Sequence, residues 1–117
     1  IQANNYPMHC APAWDLITTA ALVAQASIVI APDTGLLHLA DFLNTPTIGI
    51  FGPTLAERHG PFLSKTNINN TIQVSCPHRY AKIHGASADA HNCMFDLEAA
   101  MVVDKIHALL GQSKEPV

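Results

Sequence analysis

Apolar positions Leu16, Ala20, Val23 and Ala24 recur at helical spacing and predict a helix from Trp14 to about Gln25. Ser27 to Ala31 is then β-branched and apolar, the pattern of a parallel strand covered on both faces. The helical period returns over Leu36 to Leu43, and Asn44-Thr45-Pro46 stops it. Thr47 to Phe51 reads as the next strand. Gly52 to Asn70 is polar and contains Gly and Pro, which predicts a long loop at the strand ends with a helical turn near Leu55-Ala56-Glu57. Thr71-Ile72-Gln73-Val74 is a candidate third strand, and Cys76 to Cys93 has no clear period. Leu97 to Leu110 forms a last helix, with Leu97, Met101, Ile106, Leu109 and Leu110 as its apolar face and Gly111 ending it. Residues 1–12 read as an irregular start and 112–117 as a mobile tail, and no internal repeat is present.

Alternation of strand and helix implies right-handed βαβ units and a parallel sheet, so the fold class is α/β. Three strands make a small sheet with exposed edges. The expectation is therefore a Rossmann-like parallel-sheet fragment, the second half of a nucleotide-binding domain.

Composition narrows this further. A chain of 117 residues is one domain's worth, and 49% apolar against 13% charged residues suits a chain that buries much of itself or is covered by something else. The chain begins at Ile1, which suggests a fragment or a processed product. The formal charge is −3 and the six Lys and Arg form no cluster, which opposes a nucleic-acid surface. The longest uncharged run, seventeen residues between Asp15 and Asp33, is short for a membrane span and contains Thr18, Thr19, Gln25 and Ser27. No signal-peptide pattern opens the chain. Cys10, Cys76 and Cys93 are too few and scattered for a disulfide framework, which points to a reducing, cytoplasmic compartment. The sequon Asn69-Asn70-Thr71 is of a kind that arises by chance.

The candidate chemistry lies at Asp33-Thr34-Gly35-Leu36-Leu37-His38-Leu39-Ala40. A strand that turns on a glycine into a helix presents free backbone N–H groups suited to a phosphate. His38, one helical turn on, lies on the same face as Gly35. Pro46-Thr47-Ile48-Gly49-Ile50-Phe51-Gly52-Pro53-Thr54 supplies a second strand ending in a glycine turn. Asp-Thr-Gly is also the signature of aspartic proteases, and retroviral versions have chains of about this length. Those chains continue as β-structure, whereas Leu36 to Leu43 continues as a helix, which opposes that alternative.

The two blocks, Asp33-Thr34-Gly35-x-x-His38-Leu39-Ala40 and Pro46-Thr47-x-x-x-Phe51-Gly52-Pro53-Thr54, resemble glycosyltransferase family 9, the bacterial heptosyltransferases. The likeness runs from about Trp14 through Thr54 and returns in the final helix. It implies a GT-B architecture of two facing Rossmann-like halves, of which residues 1–117 are a partial nucleotide-sugar-binding domain from the C-terminal half. The donor implied is a nucleotide-diphosphate sugar of the ADP-heptose type. The acceptor implied is of lipopolysaccharide type, reached through the N-terminal domain. That domain carries the family's general base, so no catalytic residue is assigned here. The chain alone is expected to bind donor weakly and catalyse nothing. The expected location is the cytoplasm, with peripheral attachment at the inner membrane as the variant of that expectation. A non-catalytic nucleotide-binding or assembly module is the alternative.

Within this reading Gly35 permits close approach of the diphosphate, and the N–H groups of Thr34, Gly35 and Leu36 point at its oxygens. Thr34 adds a hydroxyl. His38 donates a hydrogen bond or carries positive charge as the leaving diphosphate develops negative charge, unless it is merely a hydrogen-bonded helix histidine. Asp33 would repel a phosphate it faced, so it is expected to cap the helix and order the turn, with a donor contact as the other reading. Trp14 either stacks on the nucleobase, as the family's corresponding position implies, or anchors the first helix in the core. Gly52 and Thr54 either shape the donor pocket or form a plain turn.

No cofactor is required by this chemistry. Cys76-x-His78 and His91-x-Cys93 nevertheless form a mirror-like set that invites zinc or iron. Their one-residue spacers are shorter than usual, and a surface loop with incidental histidines is the other reading. One branch of the resembled family carries an iron-binding, cysteine-rich version of this segment.

Overall fold

The computed structural model describes residues 7–76 and 94–113. Along the chain, α1 (Leu16–Gln25), β1 (Val29–Pro32), α2 (Gly35–Phe42) and β2 (Thr47–Phe51) follow one another. They lead into α3 (Ala56–His59), α4 (Lys65–Asn69), β3 (Thr71–Gln73) and α5 (Ala99–Ser113). The strands are parallel in the order β1-β2-β3, with Val29 opposite Thr47 and Gly49 opposite Thr71. The α/β, Rossmann-like expectation is met. Val74 extends the β3 pairing by donating its N–H to the Phe51 carbonyl at 2.7 Å.

Local signals account for the first helices. The Asp15 carboxylate accepts the N–H of Thr18 at 2.8 Å and caps α1. The chain leaves α2 through Asn44 at φ 61°, with the N–H of Thr45 returning to the Ala40 carbonyl and that of Asn44 to the Asp41 carbonyl. This left-handed C-terminal cap is how Asn44-Thr45-Pro46 stops the helix. The Thr45 hydroxyl then donates to the Val23 carbonyl at 3.0 Å, tying the end of α1 to the start of β2.

Alternation along the strands divides the core. One face sets Val29, Ala31 and Phe51 against Val23, Leu37 and Ala40 of the first two helices. The other sets Ile48 and Ile72 against Leu109, with Ile28, Leu97, Val102 and Ile106 around them. At Gly49 a Cβ would stand 2.9 Å from Phe51 Cε2 and 3.1 Å from Leu37 Cδ2, so the glycine lets α2 settle onto the sheet.

Three expectations are corrected. β1 is not covered on both faces: Ile30 is 44% exposed, because β1 is the edge strand and α5 lies over its neighbours. The last helix begins at Ala99 and runs through Gly111 to Ser113; Gly111 takes no left-handed φ and so does not act as a stop. Its inward face is Val102, Ile106 and Leu109, while Met101 and Leu110 point outward. The stretch expected as a loop with one turn also holds α4, which Ser64 caps by accepting the N–H of Asn67.

Candidate functional site

Parallel pairing brings the C-terminal ends of β1, β2 and β3 to one edge, and the segments that leave them there form the site. From β1 the chain turns through Asp33 and Thr34 into α2. Thr34 is extended and is the N-cap residue, but its side chain makes no capping bond. The Leu37 N–H donates to the Thr34 carbonyl at 3.1 Å, while the N–H groups of Gly35 and Leu36 precede the first intrahelical bonds. Among the described residues, and apart from its chain neighbours and its own helix backbone, no atom lies within 4 Å of where a Gly35 Cβ would stand.

Asp33 does not cap α2, contrary to expectation. Its Oδ2 accepts the Thr54 hydroxyl at 3.0 Å, and its Oδ1 lies 3.7 Å from His38 Nε2. The carboxylate thus bridges the two glycine turns. The Thr34 hydroxyl is directed back to the Pro32 carbonyl at 3.4 Å.

Five of the predicted residues line two clefts. Asp33, Gly52 and Thr54 line one of about 330 Å³ with Pro32, Ile50 and Met94. Met94 Sδ, part of a flexible side chain, lies beside Gly52 where a Cβ would stand. Gly35 and Leu36 line the other, about 490 Å³, with Leu16, Thr19 and Leu39. Trp14 precedes the Asp15 cap at that end of α1 and is 43% exposed, which sets aside its role as a core anchor.

His38 stands apart from both clefts. Its ring stacks on Phe62, with centroids 6.3 Å apart and planes 20° from parallel. Gly60, at φ 81°, lies beneath the pair: a Cβ there would meet the Phe62 ring at 2.8 Å and His38 Cε1 at 3.1 Å. Sequence reasoning missed Phe62, though the dipeptide Gly60-Pro61 signalled a turn.

Sequence reasoning also missed the buried network beneath. Asp41, 4% exposed, accepts the N–H groups of Phe62, Leu63 and Ser64 at 3.0, 2.9 and 3.1 Å. It also accepts Asn67 Nδ2 at 3.0 Å. Desolvation pushes its pKa up, but the bonds from Leu63, Asn67, Ser64 and Phe62 together outweigh this and hold it below the usual carboxylate value. Asn67 donates further to the Thr45 carbonyl and accepts the Thr47 N–H at 2.8 Å, so both ends of its amide are fixed.

Of the candidate metal ligands, Cys76 is buried beside Val74 and against Met94 and Leu97. His78, His91 and Cys93 lie outside the described residues. Among the described residues no group of three or more His, Cys, Asp or Glu is gathered to hold a metal ion, and no helix is long and apolar enough to cross a membrane.

A parallel α/β edge with a glycine-led helix start is the arrangement found here. It also removes the aspartic-protease alternative, because Asp33-Thr34-Gly35 opens a helix within a parallel sheet. The profile of glycosyltransferase family 9 (heptosyltransferase) matches residues 2–86, and the chain belongs to that family. It is 27% identical over 93 residues to lipooligosaccharide heptosyltransferase 2 of Haemophilus influenzae, covering 78% of this chain and 26% of that protein. It is 25% identical over 93 residues to lipopolysaccharide heptosyltransferase 2 of Escherichia coli, covering 80% and 26%. The Salmonella typhimurium enzyme of the same name is 26% identical over 93 residues, covering 78% and 25%. The chain thus spans about a quarter of the length of these curated relatives. No solved structure gives a significant match.

Proposed function

We propose that this chain is the donor-diphosphate part of a glycosyltransferase that moves a heptose-like sugar from a nucleotide-diphosphate sugar, of the ADP-heptose type, to a lipopolysaccharide-type acceptor. The observation that carries the reading is the β1–α2 junction. There an unobstructed glycine and the uncapped first turn of α2 stand at the C-terminal edge of a parallel sheet. The named heptosyltransferase relatives supply the class of sugar.

In the reaction, cleavage of the sugar–phosphate bond leaves charge on the diphosphate. The N–H groups at the start of α2 receive that charge in a fixed orientation, without reorganisation at the moment of bond breaking. His38 lies one turn along the same helix and donates a further hydrogen bond. Asp33 is engaged by Thr54 and holds the two turns together rather than meeting the phosphate. Charge compensation therefore falls to backbone and imidazole, with no metal invoked. Activation of the acceptor hydroxyl falls to a base in the rest of the protein, working in the cytoplasm or at the inner face of the membrane that receives the product.

Calorimetric titration of the full-length protein with ADP tests this. ADP is expected to bind, and His38→Ala to weaken it by about five- to tenfold, the worth of one hydrogen bond. Absence of ADP binding by the wild type would overturn the donor-site reading and leave a non-catalytic module.

A further inference from the structure

One carboxylate near the site has no part in the chemistry above. Asp41 lies three residues beyond His38 on α2, so the two project from the same side of the helix. Its four hydrogen bonds fill both oxygens: Oδ2 takes the N–H groups of Phe62 and Leu63, and Oδ1 takes Ser64 N–H and Asn67 Nδ2. Three consecutive backbone donors on one carboxylate leave that stretch of chain a single placement against α2. Yet the stretch carries exposed side chains, with Phe62 at 58% and Leu63 at 68%. Burial of Phe62 is therefore not what holds the loop. What the anchoring does achieve is the position of the Phe62 ring on His38, across a glycine turn with no room for a side chain.

We propose that Asp41 is a positioning residue for His38: by clamping the Phe62–Ser64 backbone to α2, it holds the Phe62 ring against the imidazole and fixes the imidazole's orientation at the helix start. The proposal rests on the reading of His38 as a diphosphate ligand for its consequence, but not for its geometry. An imidazole that swings freely must be ordered when donor binds; one already stacked needs no such ordering, and affinity rises accordingly.

Two readouts test it in the full-length protein. The first uses no nucleotide: NMR relaxation of the isotopically labelled His38 ring. A rigid ring, with an order parameter near about 0.85, is expected in the wild type and a value below about 0.6 in Phe62→Leu, an exposed change that leaves the core intact. Asp41→Asn is expected to lower it similarly and to speed hydrogen exchange at Leu63 and Ser64. Leu63→Pro, which deletes one of the three backbone donors, repeats the test without altering α2 should Asp41→Asn fail to fold. The second readout is ADP affinity. Phe62→Leu and Asp41→Asn should each weaken ADP about fivefold in the wild type and under about twofold in a His38→Ala background, since a residue acting through His38 is silent without it. Unchanged ring order in Phe62→Leu, order lost there but kept when the clamp is broken, or equal losses in both backgrounds would each overturn the proposal. If the wild type fails to bind ADP, the donor reading falls, and ring order alone decides the positioning.

Discussion

Asn67→Asp exchanges one amide nitrogen for oxygen at nearly constant volume, so its effect isolates polarity. Asn67 is 1% exposed and joins three segments through Thr47 N–H, the Thr45 carbonyl and Asp41 Oδ1. In the variant the Oδ1 contact to Thr47 N–H survives. The other atom, 3.0 Å from both Asp41 Oδ1 and the Thr45 carbonyl, changes from a shared donor into an acceptor facing two acceptors. Two charges at that spacing repel by about 5 kcal/mol at an effective dielectric of about 20, a ceiling because the pair escapes by retaining one proton. Adding the two lost hydrogen bonds to a partly relieved repulsion, we expect a loss of about 3–5 kcal/mol at pH 7.5. That is a large part of a small domain's stability of about 5–15 kcal/mol.

The sign of the pH dependence separates this account from simple disruption. In the wild type Asp41 has a lowered pKa, so its contribution is complete above the ordinary carboxylate range and is lost only as acid titrates the folded carboxylate. Stability should change little from this source between pH 7.5 and 5. In Asn67→Asp the folded pair holds an extra proton that the unfolded chain releases, so stability should rise as pH falls over the same interval. Urea unfolding followed by circular dichroism at the two pH values, with Asn67→Ala as the uncharged control, measures both. A loss under about 1 kcal/mol at pH 7.5 would refute the reasoning. So would a gap to wild type that fails to narrow at pH 5 for Asp while staying constant for Ala.

Gly49→Ala should cost about 1–3 kcal/mol in the same unfolding assay, because the new methyl meets the Phe51 ring at 2.9 Å and buried Leu37 at 3.1 Å. Thr54→Val removes the hydroxyl that occupies Asp33 Oδ2 at 3.0 Å. With the carboxylate released, ADP affinity should fall several-fold in calorimetry while stability changes by less than about 1 kcal/mol, the worth of one part-buried hydrogen bond.

Local pattern determined much of the architecture. β2 lies where Thr47–Phe51 reads as an apolar strand. The first two helices follow their apolar period, and Asn44 stops α2 through a cap made of adjacent residues. Strand–helix alternation implied the parallel sheet, and the glycine at the β1–α2 junction marked the edge that carries the candidate site. These features depend on residues within a turn or two of each other, so the linear order contains them. Gly111 misled because glycine permits a left-handed stop without requiring one.

Tertiary structure decided the polar partners. Asp33 looked like a helix cap from its neighbours, and only the approach of β2 shows that Thr54, twenty-one residues on, takes its carboxylate. Asp41 sits on an apolar helix and gives no sign, from its surroundings in the chain, that it will bind Phe62, Leu63, Ser64 and Asn67. The same holds for the Phe62–His38 stack and the separation of the site into two clefts. Apolar burial is non-directional and follows from periodicity, whereas a hydrogen bond demands a partner at one distance and angle. Which partner arrives is known only once the sheet and its loops are in place.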